Sequence, residues 1–423
     1  MSDQRHDNVR PAQPDLFAHV LGAYATAPEG ELDNRTLYER VADSAGMSSE
    51  ERNRRAPVGA SGKPYGLFAR AVRWHQQTLK HMGCLQRVAS ARGVWHLGTT
   101  TKSKLFEARP GVRLVAFSTN LGVALWGGCR DVFATCQDEI VACITSPPYP
   151  LARPRAYGNV DEGEFTDFIC RALEPIIRRL ARGGSLCLNL GNDIFLAGVP
   201  ARSLYRERLV LALTERFSLF KLDDMVWFNP SRAPSPVQWA SKQRVQLNAS
   251  YEIITWLTND PARVRSDNRR VLLPHTERHL KLIAAGGEHR RAEYADGAHT
   301  VRAGSFAAAT QGRIPRNVLT VGHRCADTNQ YRRDAQALGL PVHGAMMPIA
   351  IPEFLIRFLS EPGELIIDPF GGTCTTARAA EKLGRRWLVS EIMLEYLRGA
   401  APRFSGCDGF SLDPCIRHWP HAA

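Results

Sequence analysis

Apolar runs alternate with amphipathic stretches over residues 112–260 of the chain. Four runs have the length and composition of buried strands, namely Leu114–Phe117, Ile140–Ile144, Gly184–Leu190 and Ile253–Leu257. Two stretches with apolar residues at helical spacing lie among them, Phe165–Leu180 and Ser203–Arg216. Strands that alternate with helices are typical of a sheet covered by helices on both faces. The pattern therefore predicts a doubly wound α/β domain.

The same pattern returns in the last quarter of the chain. Pro348–Leu359 predicts a helix, and Glu364–Ile367 and Trp387–Glu391 predict strands. Between the two α/β blocks, residues 261–330 are rich in Arg, His, Asp, Gly and Ala and poor in large aliphatic side chains. Such a stretch cannot bury much apolar surface by itself, so we expect loops that become ordered on a partner.

A different pattern precedes the α/β region. Leu37, Val41 and Met47 mark one helix, and residues 67–74 begin another. Two short runs, Gln86–Ala89 and Val94–Leu97, flank Ala91-Arg92-Gly93 and predict a hairpin. Helices followed by a small hairpin resemble a winged-helix unit. We therefore expect a flexible arm over residues 1–30, a winged-helix-like domain over 31–110, a catalytic domain over 111–403 and a tail over 404–423.

The balance of charge points to a polyanionic partner. The formal net charge is +12, the sequence pI is about 9.4, and arginine greatly outnumbers lysine. Six basic residues fall in the connections and second helix of the N-terminal unit: Arg52, Arg54, Arg55, Lys63, Arg70 and Arg73. Two interpretations of this unit stay open, an accessory DNA-binding module and a basic helical cap exposed to solvent.

The cysteine pattern and the hydropathy of the chain indicate in which cellular compartment the protein works. The ten cysteines are spread singly without a C-x-x-C pair, as expected for reduced thiols of a cytosolic protein. No apolar run approaches the roughly 18 residues that a membrane span needs. His275 and His279 have helical spacing, but two histidines are too few ligands for zinc. We expect a soluble protein without a metal site.

A short motif, Ser146-Pro147-Pro148-Tyr149, follows directly after the predicted strand Ile140–Ile144. The two prolines have no N–H and a fixed φ, so the carbonyls of this turn are not absorbed into a helix or a sheet. Acceptors beside an aromatic ring suit a flat amine, because they accept its N–H bonds while the ring stacks on it. Taken alone, the motif also fits a proline turn that merely ends a buried strand.

A second motif, Leu365–Thr376, combines a strand, a glycine loop and the start of a helix. Glycines let the backbone approach a ligand, and a helix N-terminus adds a positive end. About twenty residues later the strand Trp387–Glu391 ends in an acid, a spacing suited to ribose hydroxyls. Asp368 would repel a pyrophosphate but attract an ammonium or sulfonium group, which favours S-adenosylmethionine over NAD. A tight turn with a helix cap is the structural alternative.

With these two motifs in this order, the chain resembles the permuted (β) class of DNA amino-methyltransferases. It is most similar to the type II N4-cytosine enzymes of restriction–modification systems, from about Ser118 to Arg403. Further segments that carry the resemblance are Tyr157–Asn159, Gly198–Ser203, Trp227–Ser231, Pro234–Pro236, Ile314–Asn317 and Ile351–Phe354. Cys374, where the family has glycine, and the segment His343–Pro348 depart from the family's pattern.

The resemblance implies a Rossmann-like sheet, S-adenosylmethionine as cofactor and double-stranded DNA as substrate, with residues 231–330 as the target-recognition region. It implies that Ser146 Oγ and the Pro147 carbonyl hold the two amino hydrogens of an extruded base, on which Tyr149 stacks beside Pro148. Trp227 would form one wall of the base pocket. Asp368 would hold the methionine ammonium, Phe370 would pack on the cofactor and Glu391 would bind the ribose. The rest of the implied cofactor loop is Pro369, Gly371, Gly372, Thr373 and Thr375.

Several alternatives remain open at this level. Cytosine N4 is the favoured target because Ser146 holds the first motif position, and adenine N6 is the alternative because both amines have similar geometry. Methylation at cytosine C5 is disfavoured, since the catalytic region has no Pro-Cys turn. A catalytically inactive DNA-binding regulator, an RNA or protein methyltransferase and a Rossmann oxidoreductase are further alternatives. The resemblance leaves open a homodimer and a cognate restriction endonuclease, and implies a bacterial or phage-encoded cytoplasmic protein at the nucleoid.

Overall fold

The computed structural model describes residues 16–57, 63–81, 84–97, 105–151 and 160–417. The first domain consists of α1 (Leu16–Ala25), β1 (Glu31–Asp33), α2 (Asn34–Ser44), α3 (Ser49–Asn53), β2 (Arg55–Pro57), β3 (Pro64–Gly66), α4 (Leu67–His81), β4 (Leu85–Arg87) and β5 (Val94–Leu97). β5 pairs antiparallel with both β1 and β4, and the helices α1, α2 and α4 pack together. The predicted helices and hairpin, and the winged-helix-like order of elements, are confirmed.

The predicted flexible arm over residues 1–30 is wrong from Leu16 onward. Residues 16–25 form α1, in which Val20, Leu21 and Tyr24 are completely buried. This helix is apolar on most sides because it packs against α2 and α4. An all-round apolar helix has no polar stripe, so its sequence lacks the period that marks an amphipathic helix. Residues 1–15 lie outside the described residues.

The second domain is built on one ten-stranded sheet. Its strands are β6 (Arg113–Ser118), β7 (Gly122–Gly127), β8 (Ile140–Thr145), β9 (Leu180–Leu190), β10 (Phe220–Phe228), β11 (Tyr251–Thr258), β14 (Val318–Thr320), β15 (Leu365–Asp368), β16 (Arg386–Glu391) and β17 (Ser411–Leu412). The order is β14-β10-β11-β9-β8-β15-β16-β7-β6-β17. The five strands from β9 to β7 are parallel, and β11 and β6 are antiparallel to their neighbours in this block.

Helices cover both faces of this sheet. They are α5 (Cys129–Phe133), α6 (Glu162–Ile177), α7 (Tyr205–Phe217), α9 (Ala326–Ala337), α10 (Ala350–Leu359), α11 (Thr375–Lys382), α12 (Leu394–Ala400) and α13 (Pro414–Arg417). Ile367 belongs to the core formed with α6 and α7, whereas its neighbour Ile366 belongs to the core formed with α10 and α11. Successive strand residues therefore face two separate cores, which confirms the doubly wound fold.

The strand order creates a switch point at β15. From this strand the parallel sheet continues to β16 and β7 on one side and to β8 and β9 on the other. Ligands of open α/β sheets bind where neighbouring strands lead to opposite sides, at the carboxyl ends of the strands. The first motif follows β8 and the second follows β15, so the two motifs are neighbours across this point.

The predicted tail is wrong for residues 404–412. β17 pairs with β6 and extends the sheet, and the Phe404 ring is completely buried, 4.9 Å from the Phe117 ring. Two strand residues are too few to produce a periodic signal, so this element depends on its tertiary contacts. Residues 418–423 lie outside the described residues.

The prediction of loops over residues 261–330 is wrong in part. This stretch contains α8 (Glu277–Ala284), a hairpin of β12 (Ala292–Tyr294) and β13 (His299–Val301), and β14, which pairs parallel with β10. α8 has no buried residue, in keeping with the low aliphatic content. Among the described residues, no helix is long and apolar enough to cross a membrane.

Candidate active site

The two motif loops meet at the switch point and line one cavity. Predicted site residues in its wall are Ser146, Pro147, Pro148, Tyr149, Trp227, Asp368, Phe370, Gly371, Gly372, Thr373, Thr375 and Glu391. Residues of the wall that the sequence did not single out include Asn189, Glu252, His323, His343 and Tyr396. Pro369 is the exception among the predicted residues: it lines a groove on the other side of the loop, and its carbonyl accepts a hydrogen bond from Ser390.

The catalytic turn is held by the hydroxyl of Tyr149. Ser146 Oγ lies 2.9 Å from Tyr149 Oη, which in turn donates to the carbonyl of Asn189 at 3.2 Å. Either hydroxyl can donate in the bond between Ser146 and Tyr149, and the Tyr149 hydroxyl also bonds to the Glu252 carboxyl. A hydroxyl oxygen has two lone pairs, so Ser146 Oγ, which lines the cavity, can act as an acceptor in either arrangement.

The ring of Tyr149 rests on Gly191. A Cβ at position 191 would lie 2.9 Å from a carbon of this ring, closer than van der Waals contact allows. Glycine at this position therefore lets the ring lie flat on the chain just after β9. Sequence reasoning missed this residue, because the close approach joins the catalytic turn to another strand.

Asn189, at the end of β9, adds a further polar group to the wall. Its side-chain Nδ2 donates to Glu252 at 2.8 Å and to Tyr149 Oη at 3.2 Å. The carboxylate partner fixes the orientation of the amide, because Nδ2 must face the acceptor. The opposite atom, Oδ1, is buried and has no hydrogen-bond partner among the described residues. The atom of this amide that lies beside Ser146 is Nδ2, at 3.5 Å from Ser146 Oγ.

Glu252, on β11, connects this wall to a neighbouring cleft. Burial raises the pKa of its carboxyl, against the lowering effects of the Asn189 hydrogen bond and of Arg232. Arg232 lies 3.7 Å from Glu252 and 2.5 Å from Asp193. The cleft beyond is lined by Asn229, Ser231, Arg232, Ala233, Tyr251, Arg324, Gly344 and residues shared with the first cavity.

Trp227 forms part of the shared wall between cavity and cleft. The side chain is 4% exposed, and its Nε1 donates to the carbonyl of Val321 at 2.8 Å. The ring of His323 lies parallel to it, with 6.3 Å between the ring centroids and an angle of 10° between the planes. Burial and neighbouring arginines lower the pKa of His323, which favours a neutral imidazole.

Two buried carboxyl groups mark the other end of the cavity. Asp368 accepts hydrogen bonds from Thr145 Oγ1 at 2.6 Å and from the Phe370 N–H at 3.0 Å, and burial raises its pKa to about 6. Glu391 accepts from the N–H groups of Gly372 and Met393, and burial raises its pKa to about 7. No cationic side chain within the described residues forms a salt bridge with either one. The pair fits a cationic ligand with ribose hydroxyls.

The loop between these carboxyls is shaped by its backbone. Gly372 has a φ of +49°, and a Cβ there would lie 3.4 Å from the His343 ring. Cys374 has a φ of +56° although it is not glycine, and its side chain is completely buried. Thr373 is held from behind, since the buried guanidinium of Arg403 donates to its carbonyl. The departure at Cys374 therefore preserves the loop conformation at the expense of backbone strain.

The signal that could have identified the missed residues is their place at strand ends. Asn189 ends the predicted strand Gly184–Leu190, and Glu252 immediately precedes Ile253–Leu257. Their proximity to the catalytic turn depends on the sheet order, which the sequence alone does not supply. The family segment Tyr157–Asn159 lies outside the described residues, so its place relative to the cavity stays a prediction.

The sequence of this chain is similar to those of known DNA methylases. Residues 140–402 match the profile of the N6/N4 methyltransferase family, described as DNA methylase, and residues 14–106 match the Mrr N-terminal domain. Type II methyltransferase M.PvuII of Proteus hauseri is 31% identical over 290 residues, which cover 68% of this chain and 85% of that protein. Type II methyltransferase M.BamHI of Bacillus amyloliquefaciens is 22% identical over 321 residues, which cover 72% of this chain and 64% of that protein.

A solved structure shares the fold of the second domain. The structure of PvuII DNA methyltransferase (cytosine-N4-specific) is 28% identical in sequence and superimposes with a TM-score of 0.54. The match covers 69% of this chain and 88% of that chain. The match to the family profile, over residues 140–402, contains both motif loops.

Proposed function

Because the chain belongs to the N6/N4 DNA methylase family, we propose that it methylates the N4 amino group of cytosine in double-stranded DNA. The family reaction transfers a methyl group from S-adenosylmethionine to an exocyclic amino group of a DNA base. The observation that carries the proposal is the meeting of the Ser146 turn with the buried carboxyls Asp368 and Glu391 in one cavity. Serine at the first motif position and the similarity to a cytosine-N4-specific enzyme favour cytosine over adenine.

The cofactor end of the cavity fits S-adenosylmethionine. Asp368 would hold the methionine ammonium, Glu391 would accept from the ribose hydroxyls and Phe370 would pack against the cofactor. Gly371, Gly372, Thr373 and Thr375 form the surrounding backbone cradle. When bound, the cofactor supplies an electrophilic methyl group on its sulfonium. The carboxylates favour this cation, because an ionised carboxylate in a buried site needs a compensating charge.

The other end of the cavity activates the amine by orientation. The lone pair of an exocyclic amine is delocalised into the ring, and acceptors on both hydrogens localise it. Ser146 Oγ and the Pro147 carbonyl would take these hydrogens, and Asn189 Nδ2, 3.5 Å from Ser146 Oγ, helps to hold the serine in place. Serine is too weak a base to remove the proton of the amine before the attack. The proton is therefore released to solvent after the methyl group has been transferred. The rate enhancement then comes mainly from the alignment of the amine, the methyl group and the sulfur.

The catalytic-turn end of the cavity suits the extruded base. Trp227 and His323 have parallel rings there, and Pro148 and Tyr149 line the same cavity. Extrusion costs a few kcal/mol of unstacking, and stacking on aromatic side chains compensates part of it. We propose that residues 231–330 read the target sequence, since α8 and the β12–β13 hairpin expose most of their side chains.

Nucleoside analysis tests the reaction and the target base together. A random-sequence duplex is incubated with the enzyme and S-adenosylmethionine, digested and examined by mass spectrometry. We expect N4-methylcytosine, reduced at least about a hundredfold in rate by Ser146→Ala. Ser405→Ala, which changes an exposed serine in the turn after α12, is the matched control and should keep full activity.

Three outcomes would each overturn a part of this proposal. If N6-methyladenine were the only product, the target base would be adenine instead of cytosine, and the family reaction would still hold. Absence of transfer by the unaltered enzyme on every duplex would favour the alternative of an inactive DNA-binding regulator. Full activity of the Ser146→Ala variant would remove the role assigned to Ser146.

The family also suggests partners and a location. We propose that the enzyme acts in the bacterial cytoplasm, and the nine cysteines that the structure describes are all free thiols, as expected there. A cognate restriction endonuclease and a homodimer stay predictions of the resemblance. Sedimentation at micromolar protein concentration tests the homodimer, and digestion of unmethylated host DNA by cell extract tests the endonuclease.

A further inference from the structure

Charge in the first domain is divided along the chain. Residues 52–106 contain eleven lysines and arginines and no aspartate or glutamate, whereas residues 29–51 contain seven acidic residues. The basic stretch spans the connection before α4, the helix α4 itself and the β4–β5 hairpin. A run of this length without any acid leaves these elements with an unbalanced positive charge.

One face of α4 carries part of this charge into solvent. Its exposed residues Arg70, Arg73, Trp74, Gln77 and Lys80 recur at intervals of three or four, so they form one stripe along the helix. The opposite stripe, with Phe68, Val72 and Leu79, is buried in the domain core. Trp74 stands in the middle of the exposed stripe with 66% of its surface in solvent.

The basic stripe continues onto the hairpin. Lys80, near the end of α4, and Arg87, on β4, lie 5.8 and 5.2 Å from the ring centroid of Trp95. The shared aromatic ring holds two cations side by side where the helix meets the hairpin. None of Arg70, Arg73, Lys80, Arg87 and Arg92 forms a salt bridge within the part of the chain that the structure describes.

We propose that this surface, formed by Arg70, Arg73, Trp74, Gln77, Lys80, Arg87 and Arg92 and named here the α4 face, binds duplex DNA outside the methylated site. An exposed helix of a winged-helix unit has the diameter of the major groove, and flanking cations contact its phosphates. Arginines without a carboxylate partner among the described residues suit phosphate oxygens, and Trp74 and Gln77 lie on the same stripe, where base edges would be. The inference rests on the family's DNA substrate and is independent of the target base.

Contacts with the α4 face should tighten the binding of long duplexes and leave the rate of methyl transfer unchanged. The α4 face contains no residue of the active-site cavity, so its loss should raise KM and leave kcat unchanged. A duplex too short to reach beyond the methylated site should not respond. Each lost phosphate contact should lower the slope of log affinity against log salt by about 0.9.

The test compares two substrates and a matched pair of variants. Arg70→Ala/Arg73→Ala is compared with Arg35→Ala, which removes an exposed arginine from α2 on the acidic part of the domain. On a duplex of 40 base pairs at physiological salt, the double variant should raise KM about tenfold and lower the salt slope by about 1.8. On a duplex of 12 base pairs all three proteins should behave alike, and Arg35→Ala should match the unaltered enzyme on both.

Direct binding separates this inference from the proposed function. Fluorescence anisotropy with the 40-base-pair duplex needs no methyl transfer, so it reports on the α4 face even if the target base is assigned wrongly. Arg87→Gln/Arg92→Gln, on the hairpin, repeats the test if the helix variant loses its native circular dichroism spectrum. Unchanged affinity and salt slope in a folded variant would overturn the inference, and equal loss on both duplexes would do so too.

Discussion

At the scale of single residues, the site is defined by hydrogen bonds that hold the catalytic turn in place. The Tyr149 hydroxyl bonds to Ser146 and is itself held by the Asn189 carbonyl and the Glu252 carboxyl. Asn189 is oriented in the same way by the Glu252 carboxylate. Three side chains are thus set as acceptors or supports before any substrate arrives, which is the preorganisation that lowers a barrier.

Tyr149→Phe tests this arrangement. The variant keeps the stacking ring but removes the hydroxyl that holds Ser146 Oγ at 2.9 Å, so the Ser146 hydroxyl loses its fixed orientation toward the amine. We expect kcat to fall at least about tenfold, which corresponds to about 1.4 kcal/mol, with the Kd for S-adenosylmethionine unchanged. Single-turnover kinetics and calorimetric titration measure the two quantities. An unaltered kcat would show that Ser146 does not need this partner.

The two buried carboxyls predict how cofactor affinity depends on pH. In the cofactor-free protein the pKa is about 6 for Asp368 and about 7 for Glu391, because burial favours the protonated form. A bound ammonium and sulfonium favour the ionised form. Affinity for S-adenosylmethionine should therefore rise from pH 5.5, through the pKa values of both carboxyls, and level off near pH 8. Titration calorimetry across this range measures the effect.

The matched control for this pH dependence is Glu391→Gln. The amide cannot ionise, so the variant should bind more weakly and should lose the part of the dependence centred near pH 7. The part due to Asp368, near pH 6, should remain. A Kd that stays constant from pH 5.5 to 8 in the unaltered protein would contradict the role of both carboxyls.

At the scale of elements, the cofactor loop depends on a buried ion pair behind it. The Arg403 guanidinium, 2% exposed, lies 2.6 Å from Asp327 on α9 and donates to the Thr373 carbonyl. It also lies 5.3 Å from the ring centroid of Tyr331. The arginine therefore connects α9, the turn after α12 and the loop that follows β15.

Arg403→Met should destabilise the fold and loosen this loop. The variant leaves Asp327 without its cation and the Thr373 carbonyl without a donor, and breaking one side of a buried pair costs about 3–5 kcal/mol. We expect urea unfolding to show a loss of this size and the Kd for S-adenosylmethionine to increase.

Arg403→Met/Asp327→Leu distinguishes the two effects. Removal of the unpaired carboxylate should restore much of the stability, as replacement of whole buried pairs by apolar residues often does. Cofactor binding should stay weak, because the Thr373 carbonyl still lacks its donor. Full recovery of both properties would mean that Arg403 does not position the loop.

The hydrophobic pattern of the sequence predicted the strands that are continuously apolar and missed elements that contain many polar residues. β8, β9, β11, β15 and β16 were predicted because both of their faces are buried and their sequences are continuously apolar. β10 was missed because it carries Lys221, Asp223 and Asp224 near the edge of the sheet. α9 was missed because its sequence has few apolar residues.

At the scale of the whole molecule, the sheet brings together motifs that the chain keeps far apart. Thr145 and Asp368 are separated by 223 positions and share a hydrogen bond of 2.6 Å. Because β8 and β15 are neighbours at the switch point, the site forms whichever motif comes first in the sequence. The permuted order therefore changes the connections of the sheet and leaves the site intact.

The first domain joins the catalytic domain close to the cofactor site. Phe106 donates its N–H to Glu395 at 2.9 Å, and the N–H of Ala108 donates to the Ile392 carbonyl at 2.8 Å. These contacts begin one residue after Glu391. Phe106 and Ala108, which follow the first domain in the chain, are therefore attached to the segment next to the predicted ribose ligand.

The sequence by itself determined the chemistry that is available: a rigid turn with acceptors and an aromatic ring, a glycine loop between two acids, and an excess of basic residues for a polyanion. These properties follow from local covalent structure, which the order of residues specifies directly. The tertiary structure alone decided the contacts that hold Tyr149 beside Ser146, the raised pKa of Asp368 and Glu391, and the entry of Asn189 and Glu252 into the site. Each of these depends on burial and on contacts between distant strands, and such contacts exist only after the sheet has formed.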